Sequence, residues 1–438
     1  MSVIKKLYKK YYFIISTVPI ITIIIFYLSI SVSTMNEKSN EVQIYFADNI
    51  SEAHAKVIKN FNVKYRGKIR VVPIDLPFVK FSTNERKELL SRSLRSKSDR
   101  IDVFAVDLIW VKRFAKWSLP LDKYFNTTNL SDYLTFALQS CYSENHLYAI
   151  PLYLDISIMY YRKDLLQRYP DYSDVKEKLD SSITWEEFVA IGKSINSQKG
   201  KYYSFPADAY EGLICSFTEL LLSQSPEMFN NFDEKKSSDY IKHGIRLLVD
   251  LVNKYELTPK EVVNYKERES YSFFLQNDGM FVRGWPSFLK DYKNILHDKS
   301  KEKYIKQTQL PHLQNFEKRF VFGGWNLMIS KYTPHINEVL EFIKYTSSEE
   351  AQVIMFEEGA YLPINKNLYS DTTLVLGNQK LNSFLKLFKY GVHRPSWKNY
   401  TKISDYFSQI INKAIRQEIS VDEALSRIKS VLKTVETN

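Results

Sequence analysis

The chain has 438 residues, too many for one compact hydrophobic core, so two lobes or domains are the default. Hydrophobic residues at 44% and charged residues at 25% are ordinary globular values, while the aromatic content of 15% is high. The formal charge of +11 falls to about +7 once Lys5, Lys6, Lys9 and Lys10 are set aside, and no basic stripe remains, which argues against a nucleic-acid partner.

Those four lysines precede an uncharged run from Tyr11 to Val32. As helix it spans about 33 Å, enough for a ~30 Å hydrocarbon core. The basic flank predicts a cytoplasmic N-terminus and an exported remainder. Two readings of residues 1–35 stand: an uncleaved membrane anchor, which the length of the run favours, or a secretory signal cleaved near Ser31-Val32-Ser33. In the second case the protein is secreted or periplasmic. Residues 36–40 form a polar tether.

Beyond the tether, Val42–Phe46 alternates as a strand, Glu52–Phe61 reads as an amphipathic helix, and Ile69–Val72 as a second strand. Arg86–Leu94 reads as a second helix and Ile101–Val106 as a third strand. Strand and helix alternating in this way predict βαβ units and a parallel sheet, with ligands beyond the carboxyl ends of the strands. Asp107 lies at such an end, where it also fits a helix N-cap. Leu147–Tyr161 reads as an apolar aromatic strand interrupted by Asp155, a carboxylate that is costly there unless paired or facing a cavity. Thr184-Trp-Glu-Glu187, Ser347-Ser-Glu-Glu350 and Ser420-Val-Asp-Glu423 are capping boxes that open helices, and Gly359 is placed to end the second of them.

Only Cys141 and Cys215 occur, too few for a disulfide framework or zinc site, and the seven His show no metal-ligand spacing. No phosphate-binding or dinucleotide loop, nucleophile elbow or HExxH motif is present, so no catalytic residue, metal or cofactor is assigned. Instead, aromatics and carboxylates recur beside predicted strand ends and turns. The segments are Asp102–Trp110, Tyr148–Lys163, Ala209–Leu213, Met280–Pro286, Phe322–Ser330 and His393–Tyr400. Flat aromatics cover the C–H faces of a sugar, while carboxylates and Arg bind its hydroxyl rim in pairs. Trp285, Trp325, Trp397, Tyr153 and Tyr210 are candidate platforms; Asp107, Asp155, Glu211 and Arg394 are candidate rim partners. Gly323-Gly324 before Trp325 signals close backbone approach. Paired carboxylates also hydrolyse glycosides, so a glycoside hydrolase stays open as an alternative.

In the order DVFAVDLIW, LYAIPLYLDISIMYYRKDLL, TWEEF, YEGL, FVRGWP, GGWNLMISKY, EFIKYTSSEEAQ, YLPINKNLY and RPSWKNY, residues 41–435 resemble the extracytoplasmic solute-binding proteins of carbohydrate ABC importers. The likeness is to the trehalose/maltose-binding branch. It implies an α/β, two-lobed periplasmic-binding-protein fold, each lobe a sheet flanked by helices, with a hinge between. The lobes expected are 41–150 with 288–345, and 151–287 with 346–438. It also implies a monomer that captures a di- or oligosaccharide by hinge closure and passes it to permease subunits. A sensor or adaptor ectodomain is the alternative use of the same cleft. Carried over by position, the implied ligand contacts are Asp107, Tyr153, Asp155, Trp285, Gly323, Trp325 and Arg394, with Tyr210 and Glu211 from the YEGL segment. The loop after the first strand departs from the pattern and offers only Glu52.

Overall fold

The computed structural model describes residues 41–97, 100–126, 130–195, 200–229, 234–296, 298–370, 379–397 and 399–435. The apolar run 11–32 and the tether lie outside them. Among the described residues no helix is long and apolar enough to cross a membrane.

Twelve strands follow in chain order: Val42–Asp48 (β1), Ile69–Asp75 (β2), Val103–Asp107 (β3), Tyr142–Ser143 (β4), His146–Leu147 (β5), Ile150–Ile156 (β6), Ile158–Arg162 (β7), Tyr203–Ser204 (β8), Phe281–Gly284 (β9), Ile305–Thr308 (β10), Phe320–Ile329 (β11) and Gly391–Val392 (β12). The opening βαβαβ pattern is as expected. β1 lies between β2 and β3 and runs parallel to both, and the helices Glu52–Lys64 and Thr83–Arg95 make the connections. Ser51 caps the first helix, whose Val57, Ile58 and Phe61 are buried. Phe61 alone lies against Phe342, Tyr65 and Tyr345, and truncating such a core aromatic costs roughly 3–5 kcal/mol.

β11 completes this sheet by running antiparallel to both β3 and β6, with β12 parallel at its start. A second sheet has the order β10-β7-β9-β8. The apolar stretch predicted as one strand broken at Asp155 is therefore two strands in two sheets. The break falls at Ser157, whose backbone N–H and Oγ both bond Val321. Asp155 stays inside β6.

Two cores follow the two sheets. One gathers Ile44, Phe46, Phe61, Val103, Trp325 and Phe342; the other gathers Tyr160, Phe188, Phe217, Phe281, Phe407 and Ile428. Segment membership differs from the sequence expectation in three places, the first being β6, whose residues 151–156 are expected with the second lobe but pair with β11 in the first sheet. β10, expected with the first lobe, pairs with β7 in the second sheet. The helix Glu349–Gly359, expected with the second lobe, contributes Ala351 and Met355 to the first core.

The caps repeat the theme on a smaller scale. Thr184 and Glu187 form the reciprocal box before the helix Trp185–Ile195. Ser420 accepts from the Glu423 N–H before the helix Val421–Val435. At Ser347-Ser348 the cap is Ser348, because the Ser347 hydroxyl donates back to the Ile343 carbonyl of the preceding helix. The left-handed residue that ends that helix is Ala360, one place beyond Gly359. Cys141 and Cys215 are free and buried.

Candidate ligand-binding site

Strand register brings the predicted site residues together. On β11, Trp325 is paired with Asp107 of β3 on one side and Tyr153 of β6 on the other. Two positions earlier, Gly323 is paired with Asp155. Both glycines are closely packed, against different kinds of atom. A Cβ on Gly324, where φ is +126°, would lie 2.6 Å from the Tyr153 carbonyl oxygen. On Gly323 it would lie 2.8 Å from Trp285 Cζ3 and 3.1 Å from Asp155 Cβ, so the indole of Trp285 from the second lobe rests over bare backbone.

These residues line a cavity of about 230 Å³. Asp107, Tyr153, Asp155, Glu211, Trp285, Gly323, Trp325 and Arg394 all face it. Tyr210 does not: it turns behind Gly212, where its hydroxyl donates to Glu267, a carboxylate that does line the cavity. Trp397 packs on Phe229 and Tyr400, away from the cavity, and Glu52 is exposed on its helix.

Arg394 carries the electrostatics of one wall. Its Nη2 donates to Asp107 Oδ1 at 2.7 Å and its Nη1 to Glu211 Oε1 at 2.8 Å. The same Asp107 oxygen accepts the Ile109 N–H at 3.1 Å, so the N-cap and ion-pair roles coexist. Glu211 opens the helix Glu211–Gln224, where the N-terminal dipole favours an anion. Burial still raises its pKa, against the opposing pull of Arg394 and the Tyr400 hydroxyl.

Behind Trp325 sits a second buried group. The Arg86 guanidinium lies 3.9 Å from the centre of the Trp325 ring and donates to Asp48 at 2.6 Å. Burial alone would raise the Asp48 pKa, but its hydrogen bond to His54 and the charges of His54 and Arg86 hold it below the usual range. On the far wall, burial pushes Asp291 up to about 6, although Ser287 and the Tyr361 hydroxyl hydrogen-bond to it. Asp155 is raised well above its usual value by burial first, then by Asp291 and Asp107.

Several lining residues were not anticipated, among them Phe78, Ser82, Lys266, Arg268, Tyr271 and Asp291. One signal was available. Ser82-Thr-Asn-Glu85 is a capping box of the kind found elsewhere in the chain, and both of its hydrogen bonds form. It starts the second helix at Thr83 and puts the Phe78 loop at the carboxyl end of β2. This loop closes one side of the cavity. Arg268 donates to the Val79 carbonyl at 3.0 Å, and Asn84 donates to Asp405 at 3.1 Å. Among the described residues no group of three His, Cys, Asp or Glu is arranged to hold a metal.

Residues 47–353 match the sequence profile of the bacterial extracellular solute-binding proteins. The chain belongs to this family. As a solute-binding protein it is 22% identical over 356 residues to a Deinococcus radiodurans protein named "Probable ABC transporter-binding protein", covering 80% of this chain and 83% of that one. Its fold is that of the maltose-bound T. maritima MalE3, with a TM-score of 0.77 at 24% identity, covering 90% of this chain and 99% of that one. The GacH receptor of Streptomyces glaucescens, solved unliganded and with acarbose, superposes with a TM-score of 0.74 at 18% identity over 90% of this chain and 99% of that one. In this solute-binding fold the cavity is walled on one side by β3, β6 and β11 and on the other by Trp285 and the helices Glu211–Gln224, Glu267–Gln276 and Phe288–Tyr292.

Proposed function

We propose that this solute-binding protein captures a di- or oligosaccharide between its lobes and delivers it unaltered to the transmembrane subunits of an ABC importer. The observation that carries the reading is the β3-β11-β6 register, which sets Asp107, Trp325 and Tyr153 side by side while Gly323 leaves room for Trp285. Two indoles supply faces for sugar C–H groups, and Asp155, with the Asp107–Arg394–Glu211 array, supplies the rim. The maltose and acarbose held by the two solved relatives support a saccharide as the solute.

The lobes we assign are 41–156 with 320–361, and 158–319 with 362–435. The hinge crossings then fall at Ser157, before β11 and near Tyr361. Closure is selected by ligand because only the closed form makes both sets of contacts. The apolar run 11–32 anchors the protein as a monomer at the outer face of the membrane.

Binding without turnover is favoured by the position of the one Ser–His–Asp set among the described residues. Ser51 Oγ lies 2.8 Å from His54 Nδ1, and His54 Nε2 lies 3.4 Å from Asp48 Oδ2. Ser51 is engaged as a helix cap, and none of the three lines the cavity. The test is Trp325→Ala: it should weaken saccharide binding by a few kcal/mol, as loss of a buried aromatic anchor does. A folded variant that binds as the parent does would remove Trp325 from the site.

A further inference from the structure

Asp155 is a lining carboxylate with an orphaned oxygen. Only 7% of it is exposed, its Oδ1 has no hydrogen-bond partner, and among the described residues no cation pairs with it. The basic groups of the inner walls are engaged elsewhere, and Lys80 is exposed at the rim. Arg394 holds Asp107 and Glu211, Arg268 holds the Val79 carbonyl, Lys266 lies against Ser82 and Glu85, and Arg86 is bound to Asp48 behind Trp325. The charged groups that act on Asp155 are two more carboxylates, Asp107 and Asp291.

A buried carboxylate in this setting requires a partner, and the lining specifies which kind. Hydroxyl donors fill its lone pairs but leave its charge uncompensated. A protonated amine fills the lone pairs and neutralises the charge as well. The Trp285 ring edge and Asp155 Cβ both come within about 3 Å of the same point above Gly323, so Trp285 flanks the carboxylate. We infer that the solute carries a basic amino group that pairs with Asp155 beside Trp285, making it an amino sugar in place of a fully neutral saccharide. This inference rests on the saccharide reading above and narrows it. A cationic group beside Asp155 opposes the burial that raises its pKa.

The experiment is calorimetric titration of the full chain at neutral pH with matched pairs of sugars. The probes are the free-amine glucosamine disaccharide, its N-acetylated form, and the neutral disaccharides cellobiose and maltose. The expected result is at least tenfold tighter binding of the free amine than of any neutral counterpart. In Asp155→Asn that preference should fall to within about twofold. Tight binding of a neutral sugar with no gain from the amine overturns the inference and leaves the saccharide reading intact. A preference for the amine that survives Asp155→Asn also overturns it, by moving the cation elsewhere. Failure of every sugar, charged or neutral, overturns both. The comparison of amine with N-acetyl form in the unaltered protein decides the matter even if the variant does not fold.

Discussion

Arg394 and Asp107 are 287 positions apart in the chain, yet their side chains meet at 2.7 Å inside the cavity wall. The same guanidinium reaches Glu211 at 2.8 Å, so one residue from the C-terminal segment joins the end of β3 in the first sheet to a helix start in the second lobe. All three are buried, and charges in that state are tolerated only as a set.

Arg394→Met should therefore cost roughly 3–5 kcal/mol, because it strands two buried carboxylates. Urea unfolding of the two proteins reads this as a large fall in midpoint. A loss under about 1 kcal/mol would mean that the carboxylates find other partners or water.

The adjacent glycines should separate folding from binding. Gly324→Ala places a methyl against backbone at a positive φ, where nothing flexible can yield, and should cost about 1–3 kcal/mol or more in thermal melts. Gly323→Ala meets only the Trp285 ring and Asp155 Cβ. It should melt closer to the parent while losing most ligand affinity. Equal effects of the two on stability would contradict this assignment.

Asp291 predicts a pH dependence of stability. Its pKa near 6 in the fold exceeds the ordinary 3.8, so the folded protein holds the proton more tightly than the unfolded chain. The contribution is fully present below the ordinary value and is lost as pH rises through about 6. Between about pH 4 and pH 7 the parent should lose on the order of 2 kcal/mol relative to Asp291→Asn. Parallel stability curves for the two would place Asp291 in solvent.

Much of the frame was legible from residue pattern, because β1 to β3 and their helices bury one face at the right period. The site residues on strands were legible for a related reason. Asp107, Asp155, Gly323 and Trp325 are polar, bare or bulky residues set in otherwise apolar strands, and the family resemblance puts ligand contacts at the same positions. What was missed lies on surfaces whose local chemistry is ordinary. Lys266, Arg268, Tyr271 and Asp291 sit in or beside the helices Glu267–Gln276 and Phe288–Tyr292, whose local pattern carries no site signal, and only tertiary packing brings them to the cavity. Tyr210 failed for the converse reason. Its segment was right, but the extended backbone at Tyr210 turns its ring behind Gly212 and leaves Glu211 to face inward. The division into lobes shifted because β10 and the helix Glu349–Gly359 take their places by long-range pairing, which local pattern does not encode.

The central claim is that this cavity binds a saccharide and returns it unchanged. Its most direct measurement is titration calorimetry of the full chain against di- and oligosaccharides, with the sugar recovered afterwards and analysed. The account predicts saturable one-to-one binding of at least one sugar class, recovered intact and largely lost in Trp325→Ala. A folded protein that takes up no sugar, or that cleaves the one it binds, would contradict it.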